Sequence, residues 1–174
     1  MSFLISLLLL FIALMAPINA KALDIQCAID KYTSYTAAKE QWQRALTDLT
    51  VKTNENFKDV ATTYLTDQLN YIEMNRIAVE FMLRHNPAKV SLDAPVNQWL
   101  TLDGDDKSAI SKSSKRYAEL LSLADAAKQR PPHQDGEALR KLMRERIIKM
   151  PEYQNLLTKF NTAVTKVNSI ACGV

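Results

Sequence analysis

Glu55 to His85 reads ENFKDVATTYLTDQLNYIEMNRIAVEFMLRH, a stretch with neither glycine nor proline. Phe57, Val60, Ala61, Tyr64, Leu65, Tyr71, Ile72, Ala78, Val79 and Met82 recur at helical spacing and predict one long amphipathic helix. Arg76, Glu80 and Arg84 stand four apart in turn and suit a solvated opposite face. Asn86-Pro87 ends the pattern, because the residue before a proline avoids helical backbone. Two polar residues interrupt the apolar stripe, Gln68 and Asn75. At 100° per residue both project near the direction of Phe57 and are expected to face the bundle interior. They act there either as a register device or as part of a polar pocket between helices.

The same period continues on both sides. Tyr35, Ala38, Trp42, Ala45, Leu46 and Leu49 predict a first helix from as early as Ile25 to near Val51, with Thr53 or Asn54 capping the next. Asp93-Ala94-Pro95 predicts a short helix carrying Trp99 and Leu100, with Asp93 as its cap. Asp103 to Asp106 breaks the chain, and its acids face the start of a helix running to about Arg130 through Ile110, Tyr117, Leu120, Leu121 and Ala124. Pro131 to Gly136 is a turn. A basic helix spans Glu137 to Lys149, and Pro151 opens the last helix, whose stripe is Tyr153, Leu156, Leu157, Phe160, Val164, Val167 and Ile170. The expected fold is all-α: an irregular bundle of about five helices plus one short helix. The scarcity of glycine, three in 174 residues, suits long helices joined by few breaks.

The N-terminus bears on compartment. Phe3 to Ala16 is the apolar run FLISLLLLFIALMA, followed by Pro17 and the small residues Ala20 and Ala22. This has the length and cleavage pattern of a secretory signal peptide, removed after Ala20 or Ala22. No Lys or Arg precedes the run, and an uncleaved membrane anchor is the competing reading. The run is shorter than the roughly 20 apolar residues of a membrane span, which favours the signal. The division is then 1–22 as signal peptide and 23–174 as a single helical domain, periplasmic or extracellular. The chain has two cysteines, Cys27 and Cys172, near opposite ends of that domain. In an oxidising compartment they are expected to form one disulfide that closes the bundle.

Chemistry-bearing motifs are absent. The glycines are too scattered for a phosphate-cradling loop, and a net charge of +3 is too weak to argue for nucleic acid. His85 and His133 lack neighbouring ligands, the two cysteines lack local metal spacing, and the Asp103–Asp106 run does not match a calcium loop. No catalytic residue, metal or cofactor is therefore assigned. Arg146 is singled out because helical spacing from Glu137 puts it on the apolar stripe of the basic helix, where it either snorkels or meets an anion. Gln68, Asn75 and Arg146 are the candidate ligand-binding residues. The expected function is that of an exported helical binding protein without catalysis, such as an inhibitor, an immunity-type protein or an envelope adaptor, with another protein as partner and no membrane span once the signal is removed. The alternative is a small exported enzyme with an inter-helix polar site for a small anionic molecule.

Overall fold

The structure is a computed structural model and describes residues 23–173. The signal-peptide reading lies outside the described residues. Six α-helices carry the fold: α1 (Ile25–Thr53), α2 (Lys58–His85), α3 (Gly104–Ser113), α4 (Lys115–Gln129), α5 (Gly136–Glu145) and α6 (Pro151–Asn168). The described residues contain no strand, only an isolated antiparallel bridge between Val90 and Leu100. The expected all-α bundle is therefore present.

Local signals start the two long helices. The Asp24 side chain accepts the Cys27 N–H at 2.9 Å and caps α1. Asn54 ends α1 and caps a 3₁₀ turn over Glu55–Phe57, which leads directly into α2. So short a link makes α1 and α2 antiparallel neighbours. Ala28 and Ala78, both fully buried, let the two helices approach closely. α6 lies against the other side of α1, where Trp42 meets Tyr153 and Phe160 with ring centroids 5.6 Å apart in each pair. α4 runs antiparallel along α2, tied by Arg116 to Glu73 and by Arg130 to Asp67. The core gathers Tyr32, Tyr35, Val79, Leu83, Trp99, Ile110, Tyr117 and Leu120.

Cys27 and Cys172 form the expected disulfide, with Cα atoms 5.5 Å apart across a sequence separation of 145. The junction is reinforced beside it. The Asp24 N–H donates to the Cys172 carbonyl at 3.0 Å, and Lys31 Nζ donates to the Ile170 carbonyl at 2.7 Å. Gly173, at φ 78°, makes the left-handed turn that follows.

Four details differ from the expected helices. The short helix at Asp93 is a 3₁₀ turn, Val96–Gln98, and Pro95 rather than Asp93 precedes it. Trp99 lies beyond that turn, where its carbonyl accepts the Ser91 N–H and the Val90–Leu100 bridge extends the backbone. The helix expected up to Arg130 is two helices. Ser114 has extended backbone (φ −133°, ψ 106°), and its Oγ accepts the Tyr117 N–H at 3.1 Å. It thus ends α3 and caps α4. The apolar period hides this break, because Ile110 and Tyr117 are seven apart and both stay buried. The basic helix stops at Glu145. Last, Ile170 falls past the end of α6 and is exposed, since the turn at Ser169 changes the helical phase. Ser114→Ala is expected to cost about 1 kcal/mol, read as a lowered denaturant midpoint with unchanged slope.

Charge pairs fix α4 on α2. Arg116 donates to both oxygens of Glu73, at 3.1 and 2.6 Å. That hydrogen bonding, with help from the charges of Arg116 and Arg76, holds the Glu73 carboxyl below the usual glutamate range. A carboxyl depressed in the folded state stabilises it above the unfolded value of about 4.3, and the contribution fades as pH falls through the folded value. Glu73→Gln is therefore expected to lower stability by about 0.2–1 kcal/mol at neutral pH. Thermal unfolding across the acid range should show that gap close; a gap constant with pH would assign the loss to packing instead.

Candidate ligand cleft between three helices

Between α1, α2, α4 and the segment from Val90 to Lys107 lies a cleft of about 650 Å³. That volume is in the range of small-molecule sites. α1 contributes Tyr32, Tyr35 and Lys39; α2 contributes Asp67, Gln68, Tyr71, Met74 and Asn75. Leu100, Leu102 and Lys107 close one end, and α4 supplies Tyr117, Leu121, Ala124 and Lys128. The cleft follows from the packing. α1 and α4 flank α2 on two sides, and the residues that face the gap between them cannot all be covered.

Its floor is aromatic. Tyr32, Tyr35 and Tyr117 are 6, 8 and 1 % exposed, yet no hydrogen bond to another described residue engages their hydroxyls, and none of these oxygens is sealed from solvent. A buried tyrosine ordinarily finds a partner for its hydroxyl. Here the partner comes from outside the protein, as water or as a ligand, since each oxygen keeps contact with solvent. Burial pushes the Tyr32 phenol far above the ordinary tyrosine range, with the Tyr35 and Tyr71 phenols adding to it. Burial raises Tyr35 as well, and burial followed by Tyr71 raises Tyr117. All three therefore remain neutral O–H donors at physiological pH.

Charge lies at the rim. Lys39 stands over the exposed Tyr71 ring, 5.9 Å from its centroid, and Lys107 forms no ion pair with a described residue. Lys128 meets Asp125 at 2.9 Å, which holds its ammonium above the usual lysine value. The single carboxylate of the lining, Asp67, is already held through both oxygens by Arg130, at 3.1 and 3.2 Å. The cleft is thus rich in donors and carries a positive rim.

Gln68 and Asn75 both line this cleft. Asn75 is half-buried, whereas Gln68 is exposed, so they edge an open site and are not enclosed in the bundle as expected. Tyr64 and Tyr71, also assigned to the buried stripe, are 38 and 48 % exposed. A one-stripe reading assumes one packed face, whereas α2 meets α1, α4 and α5, and Tyr71 borders the open gap between α1 and α4. Arg146 is not brought to the cleft. It sits exposed at the break after α5 (φ −125°, ψ −62°), while Ile147 takes the core position in the following 3₁₀ turn. The break turns the chain by more than a helical step and moves Arg146 off the apolar stripe.

The tyrosine floor and the lysine rim were missed from the sequence. Tyr32 and Tyr35 share a face of α1, but Tyr71 and Tyr117 come from two other helices; Tyr35, Tyr71 and Tyr117 read as ordinary core, and Tyr32 is not singled out by the period. The remaining polar features have structural work. His133 Nδ1 accepts the Asp135 N–H at 3.1 Å, and its Nε2 donates to Asp59 at 3.0 Å. The His85 ring stacks on Phe81, 4.2 Å between centroids. Asp103 and Asp106 form a reciprocal cap on α3, and Lys89 Nζ bridges them. Among the described residues no cluster of metal-ligating side chains occurs, and no helix is long and apolar enough to cross a membrane. Comparisons with protein families, with curated proteins and with solved structures find no match.

Proposed function

We propose that the mature chain is an exported binding protein that holds a small molecule in the cleft between α1, α2 and α4. The observation that carries this reading is a cleft of about 650 Å³ lined by three buried tyrosines whose hydroxyls bond to no described residue. Polar groups left open toward a concave, half-apolar surface are what a ligand site needs and what core packing avoids. On this reading the partner is a small molecule, where the sequence alone favours another protein. Export is supported by the apolar N-terminal run and by a disulfide that ties one end of the described chain to the other.

Binding is favoured over turnover by the lining itself. Its ionisable groups are lysines, phenols and one carboxylate already paired with Arg130. Among the described residues, the lining holds no histidine or cysteine. The test is amide chemical-shift mapping with a mixture of small organic fragments at millimolar concentration. Shifts are expected to cluster at Tyr35, Tyr71, Asn75, Leu102 and Leu121. Shifts scattered over the surface, or concentrated in the groove between α1 and α6, would overturn the reading. N-terminal sequencing of chain recovered outside the cytoplasm should begin near Lys21 or Leu23, whereas an intact Met1 on membrane-bound chain would refute export by a cleaved signal.

A further inference from the structure

We infer that the cleft selects an amphipathic organic anion: a carboxylate or phosphate head on an apolar body of about one or two rings. The inference rests on the binding reading above and names the ligand class for the same site. Its first ground is a donor excess. Tyr32, Tyr35 and Tyr117, the donor-only Lys39, Lys107 and Lys128, and the amide residues Gln68, Asn75 and Asn97 all line the cleft. The strong acceptor among them, Asp67, has both oxygens taken by Arg130. A site built in this way is satisfied by a ligand that mostly accepts, and charge-assisted bonds to an oxyanion are the strongest available to it.

The second ground is net charge. The Asp67–Arg130 pair cancels internally and Lys128 is offset by Asp125, but Lys39 and Lys107 have no carboxylate within ion-pair distance among the described residues. Two uncompensated cations border the opening, where they steer and hold an anion. The third ground is size and surface. About 650 Å³ is far more than a free inorganic anion fills, and Met74, Leu100, Leu102, Leu121 and Ala124 form an apolar wall beside the donors. Tyr71, about half exposed, offers ring surface to a flat body beside the Lys39 ammonium that stands over it. A bare anion would leave that wall wet, and a neutral apolar molecule would leave the donors and lysines unanswered.

The experiment uses the disulfide-bonded chain and three probes, followed by calorimetry and by chemical-shift mapping: 2-naphthoate, 2-naphthalenemethanol and inorganic phosphate. 2-Naphthoate is expected to bind in the cleft at least about fivefold more tightly than the neutral alcohol, with the difference shrinking as salt is raised. Phosphate alone is expected to bind weakly. Lys107→Gln and Lys39→Gln should each weaken naphthoate about two- to fivefold and leave the alcohol unchanged. Both side chains lie at the rim, and an unchanged melting profile will show that the fold is retained. Equal binding of naphthoate and the alcohol would overturn the anionic part, and phosphate binding as tightly as naphthoate would overturn the apolar part. If naphthoate causes no shift in the cleft while the fragment mixture still maps there, this inference falls and the binding reading stands. If neither maps there, both fall.

Discussion

Replacing Cys27 and Cys172 together by alanine is expected to lower stability by up to about 5 kcal/mol. The bridge closes a loop across a separation of 145 residues, nearly the whole described chain, so in the unfolded state it removes a large share of the conformations available to the ends. That stabilisation comes from restricting the unfolded chain and adds to whatever the native contacts contribute. A domain of this size commonly has only about 5–15 kcal/mol in all, so loss of the bridge removes a large share of it. Alanine is chosen because Cys172 is 8 % exposed, and a serine hydroxyl there would add a desolvation cost of its own. Urea unfolding of oxidised wild type, reduced wild type and the double alanine variant should give two matching low midpoints and one high one. A loss under about 1 kcal/mol would mean that the Asp24–Cys172 and Lys31–Ile170 hydrogen bonds already hold the ends together in states where the rest is unfolded. Strong dependence on the bridge would also suit folding in an oxidising compartment.

What the sequence made legible follows from how local each signal is. The period of Glu55 to His85 repeats within one uninterrupted segment, the Asp103–Asp106 cap sits within one helix turn, and the paired terminal cysteines name a unique partner; the structure contains all three. The Ser114 break was illegible because a side-chain cap in mid-pattern leaves the seven-residue spacing of Ile110 and Tyr117 intact. Arg146 was misplaced for the converse reason. A single non-helical residue before Ile147 resets the phase, and periodicity cannot register a reset that occurs after the last apolar residue of a short helix. The cleft was half legible. Gln68 and Asn75 reveal themselves as polar residues on an apolar stripe. Tyr35 and Tyr117 read as core residues, Tyr32 goes unmarked by the period, and all three are buried except for one oxygen each. Only their tertiary arrangement distinguishes a filled interior from the floor of a site.

Trp99→Ala is expected to cost about 3–5 kcal/mol and to reshape the cleft from beneath. Trp99 is 2 % exposed and stacks on Tyr32 with centroids 5.9 Å apart and planes 21° from parallel. Its Nε1 donates to the Ala94 carbonyl at 3.0 Å, which clamps the turn leading to it, and Lys31 Nζ lies 5.4 Å from the ring centroid. Truncation leaves a void under Tyr32, an unpaired carbonyl at Ala94 and a loosened path from Val90 to Leu102. Two of those elements, Tyr32 and Leu100, line the cleft. Trp99→Phe separates the causes. It keeps a stacking ring and loses the indole hydrogen bond, so it should cost about 1–2 kcal/mol and preserve the position of Tyr32. Urea unfolding gives the two stabilities. Chemical shifts of the Tyr32 ring, compared with those of Trp42 in the distant α1–α6 contact, report whether the change is confined to the cleft side. Equal losses in the two variants would assign Trp99's role to the Ala94 bond. Loss in the alanine variant alone, with displaced Tyr32 signals and unmoved Trp42 signals, would identify the stacked ring as the support on which the tyrosine floor rests.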